Sequence, residues 1–173
     1  MKFFSGFSLI NEEYLFEDYI NKSDYTVCGF SYGAIKALKF VKEQLELGNR
    51  IDRLQLLSPA FFQNKTTKFK KLQLMGYKKD KINYMKSFLS LCFEPHEKKI
   101  VQNYETKYSE LDELLNYEWD LEDFKYLIDK GLHVEVYLGG EDNIIDAQAA
   151  KELFLEVSTV TYIKNANHFL QIN

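Results

Sequence analysis

The segment from Gly29 to Gly33 places Ser31 between two glycines, in a context that favours a tight turn. Residues 25–30 are short, apolar and β-prone, whereas residues 34–47 carry apolar side chains at helical spacing. A serine on a strand-to-helix turn is held with its hydroxyl above the sheet, near a helix N-terminus. Any side chain at either glycine would crowd that turn. The segment therefore predicts a nucleophilic serine.

A nucleophilic serine needs a histidine as its base, and the chain contains three histidines. His168 follows the last predicted strand, near the end of the chain, which is where the base of such a triad belongs. His133 lies at the start of a predicted strand, and His96 follows Pro95 in the middle of the chain. We predict His168 as the base, with His96 and His133 as lesser alternatives.

The base needs an acid to orient it, and the segment 139–146 offers three carboxylates after the penultimate predicted strand. Asp142 lies where the chain leaves that strand, whereas Asp146 suits the cap of the next helix. We favour Asp142 and keep Asp146 as the alternative. The resulting chain order of serine, aspartate and histidine is that of the α/β-hydrolases, which the chain resembles.

Acyl transfer also needs donors for the negative charge that develops on the carbonyl oxygen. One is the backbone N–H of Tyr32, the residue after the nucleophile. The other should come from the loop after the first strand, where we predict the backbone N–H of Phe7. This chemistry needs neither a metal nor a cofactor, and we predict none.

Composition narrows the classes of function. The chain has 173 residues and a net charge of −4, which gives no reason to expect a nucleic-acid partner. No apolar run approaches the ~20 residues that a membrane span needs, and the N-terminal segment is too short for a signal peptide. Cys28 and Cys92 suggest no disulfide framework. We expect a cytoplasmic protein with no membrane partner.

Strands and helices alternate at both ends of the chain. Predicted strands span 2–4, 25–30, 51–57, 133–138 and 159–163. Predicted helices span 11–20, 34–47, 69–77, 81–92, 97–104, 109–117, 120–130 and 145–157, with Asn11 and Ser109 as caps of two of them. Such alternation implies a parallel sheet with crossover helices.

The predicted fold class is α/β, a reduced α/β-hydrolase fold of about five mostly parallel strands with flanking helices. Residues 1–173 should form a single domain. Residues 60–117 carry no convincing strand and interrupt the alternation after the third strand. We predict that they form a helical cap above the edge of the sheet where ligands bind in such folds.

Over almost its whole length the chain resembles the short pimeloyl-acyl-carrier-protein methyl ester esterases of biotin synthesis. The resemblance rests on five segments of this sequence: 3–7, 29–37, 57–59, 69–74 and 167–171. It implies that Ser31 attacks the methyl ester at the far end of a pimeloyl chain. The chain departs from many hydrolases at Ser5, where they have a histidine before the oxyanion glycine.

The resemblance also implies a partner, an acyl carrier protein that holds the substrate on its phosphopantetheine. Carrier proteins are strongly acidic, so a local basic patch would steer docking. We predict that this patch consists of lysines in the middle of the chain: Lys65, Lys68, Lys70, Lys71, Lys78 and Lys79, with Lys81 nearby. The alternative interpretation of these lysines is a solvated helix face, which most charge runs are.

Another small esterase, a thioesterase or a non-catalytic binding protein remains an alternative function.

Overall fold

Five strands form the central sheet, in the order β1 (Lys2–Phe4), β3 (Thr26–Phe30), β4 (Arg53–Leu57), β6 (His133–Gly139) and β7 (Thr159–Ile163). The computed structural model describes all residues, 1–173. All four pairings of neighbouring strands are parallel, so the five carboxyl ends lie at one edge of the sheet. The predicted α/β fold with about five parallel strands is confirmed. The loops that follow these strands are thereby brought together.

Six α-helices accompany the sheet: α1 (Tyr32–Glu46), α2 (Thr67–Lys79), α3 (Lys81–Phe93), α4 (Tyr108–Asn116), α5 (Leu121–Asp129) and α6 (Ala147–Phe154). The α1 helix packs against β3 and β4, while α5 and α6 pack against β6. The α2, α3 and α4 helices all lie between β4 and β6 in the chain, and α2 contacts both of the others. We call residues 60–117 the inserted segment; its action as a cap stays a prediction.

The sheet is buried on both faces, as is usual for parallel strands. Side chains on one face of the sheet, among them Val27, Leu54 and Val136, belong to the larger apolar cluster, which also contains residues of α1, α5 and α6. Side chains on the other face of the sheet, including Cys28 and Phe30, belong to a second apolar cluster. All five residues of β3 are buried, so the strand that carries the nucleophile is fixed from both sides.

The predicted helix at 11–20 is wrong. Only a 3₁₀ helix forms, at Glu12–Phe16, and Asn11 does not cap it through its side chain. Asn11 instead has a left-handed backbone with φ 62°, and the Glu12 side chain turns inward and is buried. A glutamate directly after a helix cap ordinarily lies in the first turn of a helix and faces solvent, whereas the loop before Glu12 directs its side chain into the protein.

The predicted helix at 97–104 is also wrong. A two-residue strand β5 (Gln102–Asn103) pairs there with β2 (Leu9–Ile10) in an antiparallel arrangement. The segment buries no apolar face, since Ile100 is 87% exposed. Short helices depend on such packing for most of their stability.

Two other predictions of helix ends need correction. The α4 helix begins at Tyr108, so Ser109 lies inside it and is not its cap. The last helix, predicted at 145–157, is shorter, and Asp146 caps its first turn.

No helix is both long and apolar enough to cross a bilayer.

Candidate active site

Ser31 occupies a strained turn between β3 and α1. Its backbone has φ 51° and ψ −115°, outside the regions that ordinary residues favour. The turn is held by the Ser31 N–H, which donates to the Leu57 carbonyl at 2.9 Å, and by the Ser31 carbonyl, which accepts from Ala60 N–H at 3.1 Å. A rigid scaffold of this kind fixes the direction of the hydroxyl.

Both flanking glycines are required by close backbone approaches. A Cβ atom at Gly29 would lie 2.4 Å from the Gly33 carbonyl oxygen. A Cβ atom at Gly33 would lie 1.9 Å from the Phe4 carbonyl oxygen, at the end of β1. The start of α1 therefore lies directly against β1, and a side chain at either glycine would crowd the turn.

The structure brings Ser31, His168 and Asp142 into one hydrogen-bonded chain. The Ser31 hydroxyl oxygen lies 3.0 Å from His168 Nε2, and His168 Nδ1 lies 2.6 Å from Asp142 Oδ2. Ser31 is 5% exposed, while the histidine is fully buried. An imidazole between a hydroxyl and a carboxylate is arranged to accept the hydroxyl proton while the carboxylate stabilises the imidazolium that forms.

The geometry separates the two candidate acids. Asp142 uses Oδ1 to accept hydrogen bonds from the backbone N–H groups of Ile144 and Ile145, at 2.7 and 3.1 Å. Its Oδ2 is thereby left facing His168. Asp146 instead accepts from the Ala149 N–H at 3.0 Å as the cap of α6.

Neither of the other histidines joins this chain. His133 is exposed at the amino end of β6, whereas Ser31 follows the carboxyl end of β3. His96 Nε2 lies 2.7 Å from the Asn165 carbonyl oxygen. His96 therefore contacts the loop that carries His168, but the structure gives it no contact with Ser31.

Asn167 holds the loop that presents His168, a role that no sequence pattern indicated. Its side-chain oxygen accepts from the Phe169 N–H at 2.9 Å, and its amide nitrogen donates to the Phe93 carbonyl at 2.7 Å. The Phe30 ring lies 5.0 Å from the His168 ring, centroid to centroid. The imidazole is therefore fixed by packing as well as by Asp142.

The structure places both predicted oxyanion donors at the carboxyl edge of the sheet. Tyr32 is the first residue of α1, where backbone N–H groups have no acceptor within the helix. Phe7 follows β1, its side chain is buried, and its backbone N–H donates no hydrogen bond. An unpaired buried N–H is uncommon in proteins, and neither group has an acceptor within the protein; their role as oxyanion donors stays a prediction.

An apolar cavity of about 320 Å³ adjoins these residues. Phe7 lines it, as do Asn143 and Ile144, which directly follow Asp142. The rest of its wall comes from Phe62 and from α2, α3 and α4: Phe69, Gln73, Tyr84, Ser87, Phe88, Leu91, Leu111, Leu114 and Leu115. Its size and lining suit a small ligand with an apolar chain.

The predicted basic residues lie on or beside α2, which contains five lysines and no acidic residue. Lys68, Lys71, Lys78 and Lys79 are exposed, whereas Lys65 and Lys70 are partly buried. None of these six lysines forms an ion pair with a carboxylate. Lys81 differs, because its ammonium donates to the Thr106 carbonyl at 2.7 Å.

No group of three or more side chains suited to a metal ion occurs.

No protein-family model matches the chain, and no curated protein matches it significantly. Solved structures do match. An esterase (EaEST) from Exiguobacterium antarcticum has 16% identity and a TM-score of 0.61, covering 83% of this chain and 59% of that one. Carboxylesterase CesB (YbfK) from Bacillus subtilis has 15% identity and a TM-score of 0.56, covering 85% and 54%.

A third similar structure, E-2-(acetamidomethylene)succinate hydrolase, has 11% identity and a TM-score of 0.57, covering 97% of this chain and 84% of that one. The chain spans less than three fifths of the length of the two esterases. Likeness at such identities concerns the fold and not the substrate. The protein has a reduced form of the α/β-hydrolase fold.

Proposed function

We propose that the protein is a serine carboxylesterase that hydrolyses the methyl ester of a pimeloyl chain carried by an acyl carrier protein. The observation that carries the esterase proposal is the hydrogen-bonded chain from Ser31 through His168 to Asp142. The substrate proposal rests on the sequence resemblance, on the apolar cavity beside that chain and on the basic surface of α2.

In the proposed reaction, Ser31 Oγ attacks the ester carbonyl carbon while His168 Nε2 takes the hydroxyl proton. The backbone N–H groups of Phe7 and Tyr32 donate to the oxyanion that forms. The bond to the methoxy oxygen then breaks, and methanol leaves with the proton from His168. Water attacks the acyl-Ser31 ester in the same way, which releases the pimeloyl carboxylate and restores the serine.

Six residues form the surface that we propose for the carrier protein, and we call it the α2 outer face: Lys68, Lys71, Leu72, Met75, Lys78 and Lys79. They share one side of α2 and all are exposed. Leu72 is 54% exposed and Met75 is 65% exposed, so apolar side chains lie among the unpaired ammonium groups. An acidic partner with some apolar surface complements such a face in both respects.

Product analysis tests the reaction. Purified protein is incubated with methyl-pimeloyl carrier protein, and methanol and the intact thioester are measured for wild type and Ser31→Ala. We expect methanol with the thioester retained, and no methanol from Ser31→Ala. Cleavage of the thioester would instead indicate a thioesterase. Equal behaviour of the two proteins would contradict a serine mechanism.

Charge reversal tests the docking face. We expect the double variant Lys68→Glu, Lys71→Glu to lower kcat/KM at least ten-fold on the carrier-bound substrate. The loss should be smaller at high salt, because salt screens the attraction between the two surfaces. A short p-nitrophenyl ester should be hydrolysed at the wild-type rate. Lys22→Glu with Lys130→Glu makes the same change in net charge at exposed lysines near the amino ends of β3 and β6. An equal loss in this control would show that only net charge matters.

A further inference from the structure

Glu12 is a buried carboxyl group with no cationic partner. Its side chain is 0% exposed, and Oε1 accepts a hydrogen bond from the Gly6 N–H at 2.7 Å. Its other oxygen, Oε2, is buried without any hydrogen-bond partner. Burial of such a group is costly unless something compensates, so its position beside Gly6 calls for a reason.

The two hydrogen bonds at Gly6 hold consecutive peptide units, because the Gly6 N–H belongs to the Ser5–Gly6 peptide and the Gly6 carbonyl belongs to the Gly6–Phe7 peptide. The Gly6 carbonyl accepts from the Leu9 N–H at 3.2 Å, while the Gly6 N–H is held by Glu12. In a planar trans peptide the Phe7 N–H points away from the Gly6 carbonyl. That N–H makes no hydrogen bond of its own. Leu9 therefore holds the Gly6–Phe7 peptide at its carbonyl, Glu12 holds the Ser5–Gly6 peptide directly before it, and the Phe7 N–H is left free.

Packing places this peptide beside the reactive residues. A Cβ atom at Gly6 would lie 2.8 Å from the Phe30 ring, so the backbone lies almost against that ring. The opposite face of the loop is tied down by Ser8, which has φ 64° and whose hydroxyl donates to the Tyr104 carbonyl at 2.9 Å. Since Phe30 also contacts His168, the Gly6–Phe7 peptide lies close to the proposed reaction centre.

We propose that Glu12 is a positioning residue: its side-chain oxygen fixes the Ser5–Gly6 peptide and so directs the chain into the next peptide, Gly6–Phe7, such that the Phe7 N–H meets the developing oxyanion. The inference rests on the proposed ester hydrolysis at Ser31. It accounts for the support of the loop in a chain that has Ser5, and no histidine, before the oxyanion glycine. The residue acts through the backbone and does not touch the substrate.

A neutral carboxyl group suits this role. Burial raises the pKa of Glu12, and the protonated group still offers a carbonyl oxygen to the Gly6 N–H. Burial thus favours the neutral form, which does not oppose the negative charge of the oxyanion as the ionised form would. Glutamine has nearly the same shape and keeps the acceptor, whereas methionine has a similar length and lacks it.

The experiment compares Glu12→Gln and Glu12→Met on a short p-nitrophenyl ester. For Glu12→Met we expect kcat to fall about 100-fold with KM within about three-fold, because the donor is needed mainly in the transition state. Inhibition by an alkylboronic acid, whose tetrahedral adduct carries negative charge, should weaken by a similar factor. Glu12→Gln should keep both values within about three-fold of wild type.

Leu127→Ala, a core change in α5, serves as the matched stability control. If folded Glu12→Met matches this control in kcat, or if Glu12→Gln loses as much as Glu12→Met, the inference is overturned. Should Glu12→Met not fold, Glu12→Asp replaces it, since the shorter side chain withdraws the acceptor; a kcat within three-fold of wild type would then overturn the inference. A wild type with no Ser31-dependent hydrolysis would instead refute the proposed function itself.

Discussion

The Tyr32 hydroxyl donates a hydrogen bond to the Glu113 carboxylate and so joins the residue after Ser31 to the α4 helix of the inserted segment. Lys39 pairs with the same carboxylate, and the Lys36 ammonium lies 4.3 Å from the Tyr32 ring centroid. Burial alone would raise the pKa of Glu113, but the hydrogen bonds from Lys39 and Tyr32 hold this pKa below its ordinary value of 4.5. The α4 helix is thus anchored to α1, while the lysines of the α2 outer face form no ion pair with a carboxylate.

Removing this hydroxyl should loosen the anchor without disabling the reaction. We expect Tyr32→Phe to lower the free energy of unfolding by about 1–2 kcal/mol, because the bond joins a partly buried hydroxyl to a charged acceptor. Hydrolysis of a short ester should stay within about three-fold of wild type, since the backbone N–H of residue 32 is unchanged. Urea unfolding and steady-state kinetics measure both.

A double-mutant cycle with Glu113→Gln isolates the pair. We expect the two changes together to cost less than the sum of their separate effects, with a coupling of about 1 kcal/mol. Strictly additive losses would mean that the contact contributes nothing to stability.

Replacement of aspartate by asparagine should abolish most activity at Asp142 and leave activity nearly unchanged at Asp146, although both residues lie in one loop. In Asp142→Asn the carbonyl oxygen would stay on the Ile144 and Ile145 N–H groups, which leaves the amide NH₂ facing His168. The imidazole would then take the wrong tautomer to accept the Ser31 proton. We expect kcat to fall by about 10⁴-fold.

Asp146→Asn should keep activity within about three-fold of wild type, because asparagine is an equally good helix cap and can still accept from the Ala149 N–H. Steady-state kinetics on a short ester compare the two variants. A large loss at Asp146 with activity retained at Asp142 would reverse our assignment of the acid.

The nucleophile turn could be predicted from the sequence because its determinants are local. Ser31, the two glycines and the change from strand to helix periodicity lie within 25 residues or so. The choice between Asp142 and Asp146 could not be settled in that way. Both lie in one loop, and only the backbone N–H groups that each accepts decide which carboxylate faces the histidine.

Glu12 shows a different limit of sequence-based prediction. A glutamate after an asparagine ordinarily indicates the solvated first turn of a helix. Here left-handed residues at Ser8 and Asn11 turn the chain so that the side chain enters the protein. Such turns depend on contacts with β5, which is about 90 residues away in the chain and which was itself predicted as helix.

Gly33→Ala should be among the most damaging small substitutions. The added Cβ atom would collide with the Phe4 carbonyl oxygen of β1, and backbone cannot move aside cheaply. We expect a loss of at least about 3 kcal/mol in the free energy of unfolding, together with loss of ester hydrolysis.

Gly48→Ala is the matched control. Its φ is +78° and nothing lies within 4 Å of the new Cβ atom, so only the left-handed backbone is penalised, by about 1 kcal/mol. Activity should be unchanged. Similar losses of stability in the two variants would mean that the collision at Gly33 is relieved at little cost.

The dependence of stability on pH should reveal the buried Glu12. Burial raises its pKa above the ordinary value of 4.5, so the folded protein holds this proton more tightly than the unfolded chain does. Glu13 and Tyr104 are the titratable groups whose charges couple to it, and no cation pairs with it. The contribution of Glu12 to the free energy of unfolding should therefore fall as pH rises from about 4.5 towards the raised pKa, and then level off.

Glu12→Gln removes this proton equilibrium, while the other carboxylates titrate alike in both proteins. The difference in free energy of unfolding, variant minus wild type, should thus be constant below pH 4 and increase as pH rises above about 4.5. The increase amounts to about 1.4 kcal/mol for each unit by which the pKa is raised. Urea unfolding at a series of pH values measures it. A difference that stays flat or decreases with pH would mean that Glu12 is ionised as readily in the folded protein as in the unfolded chain.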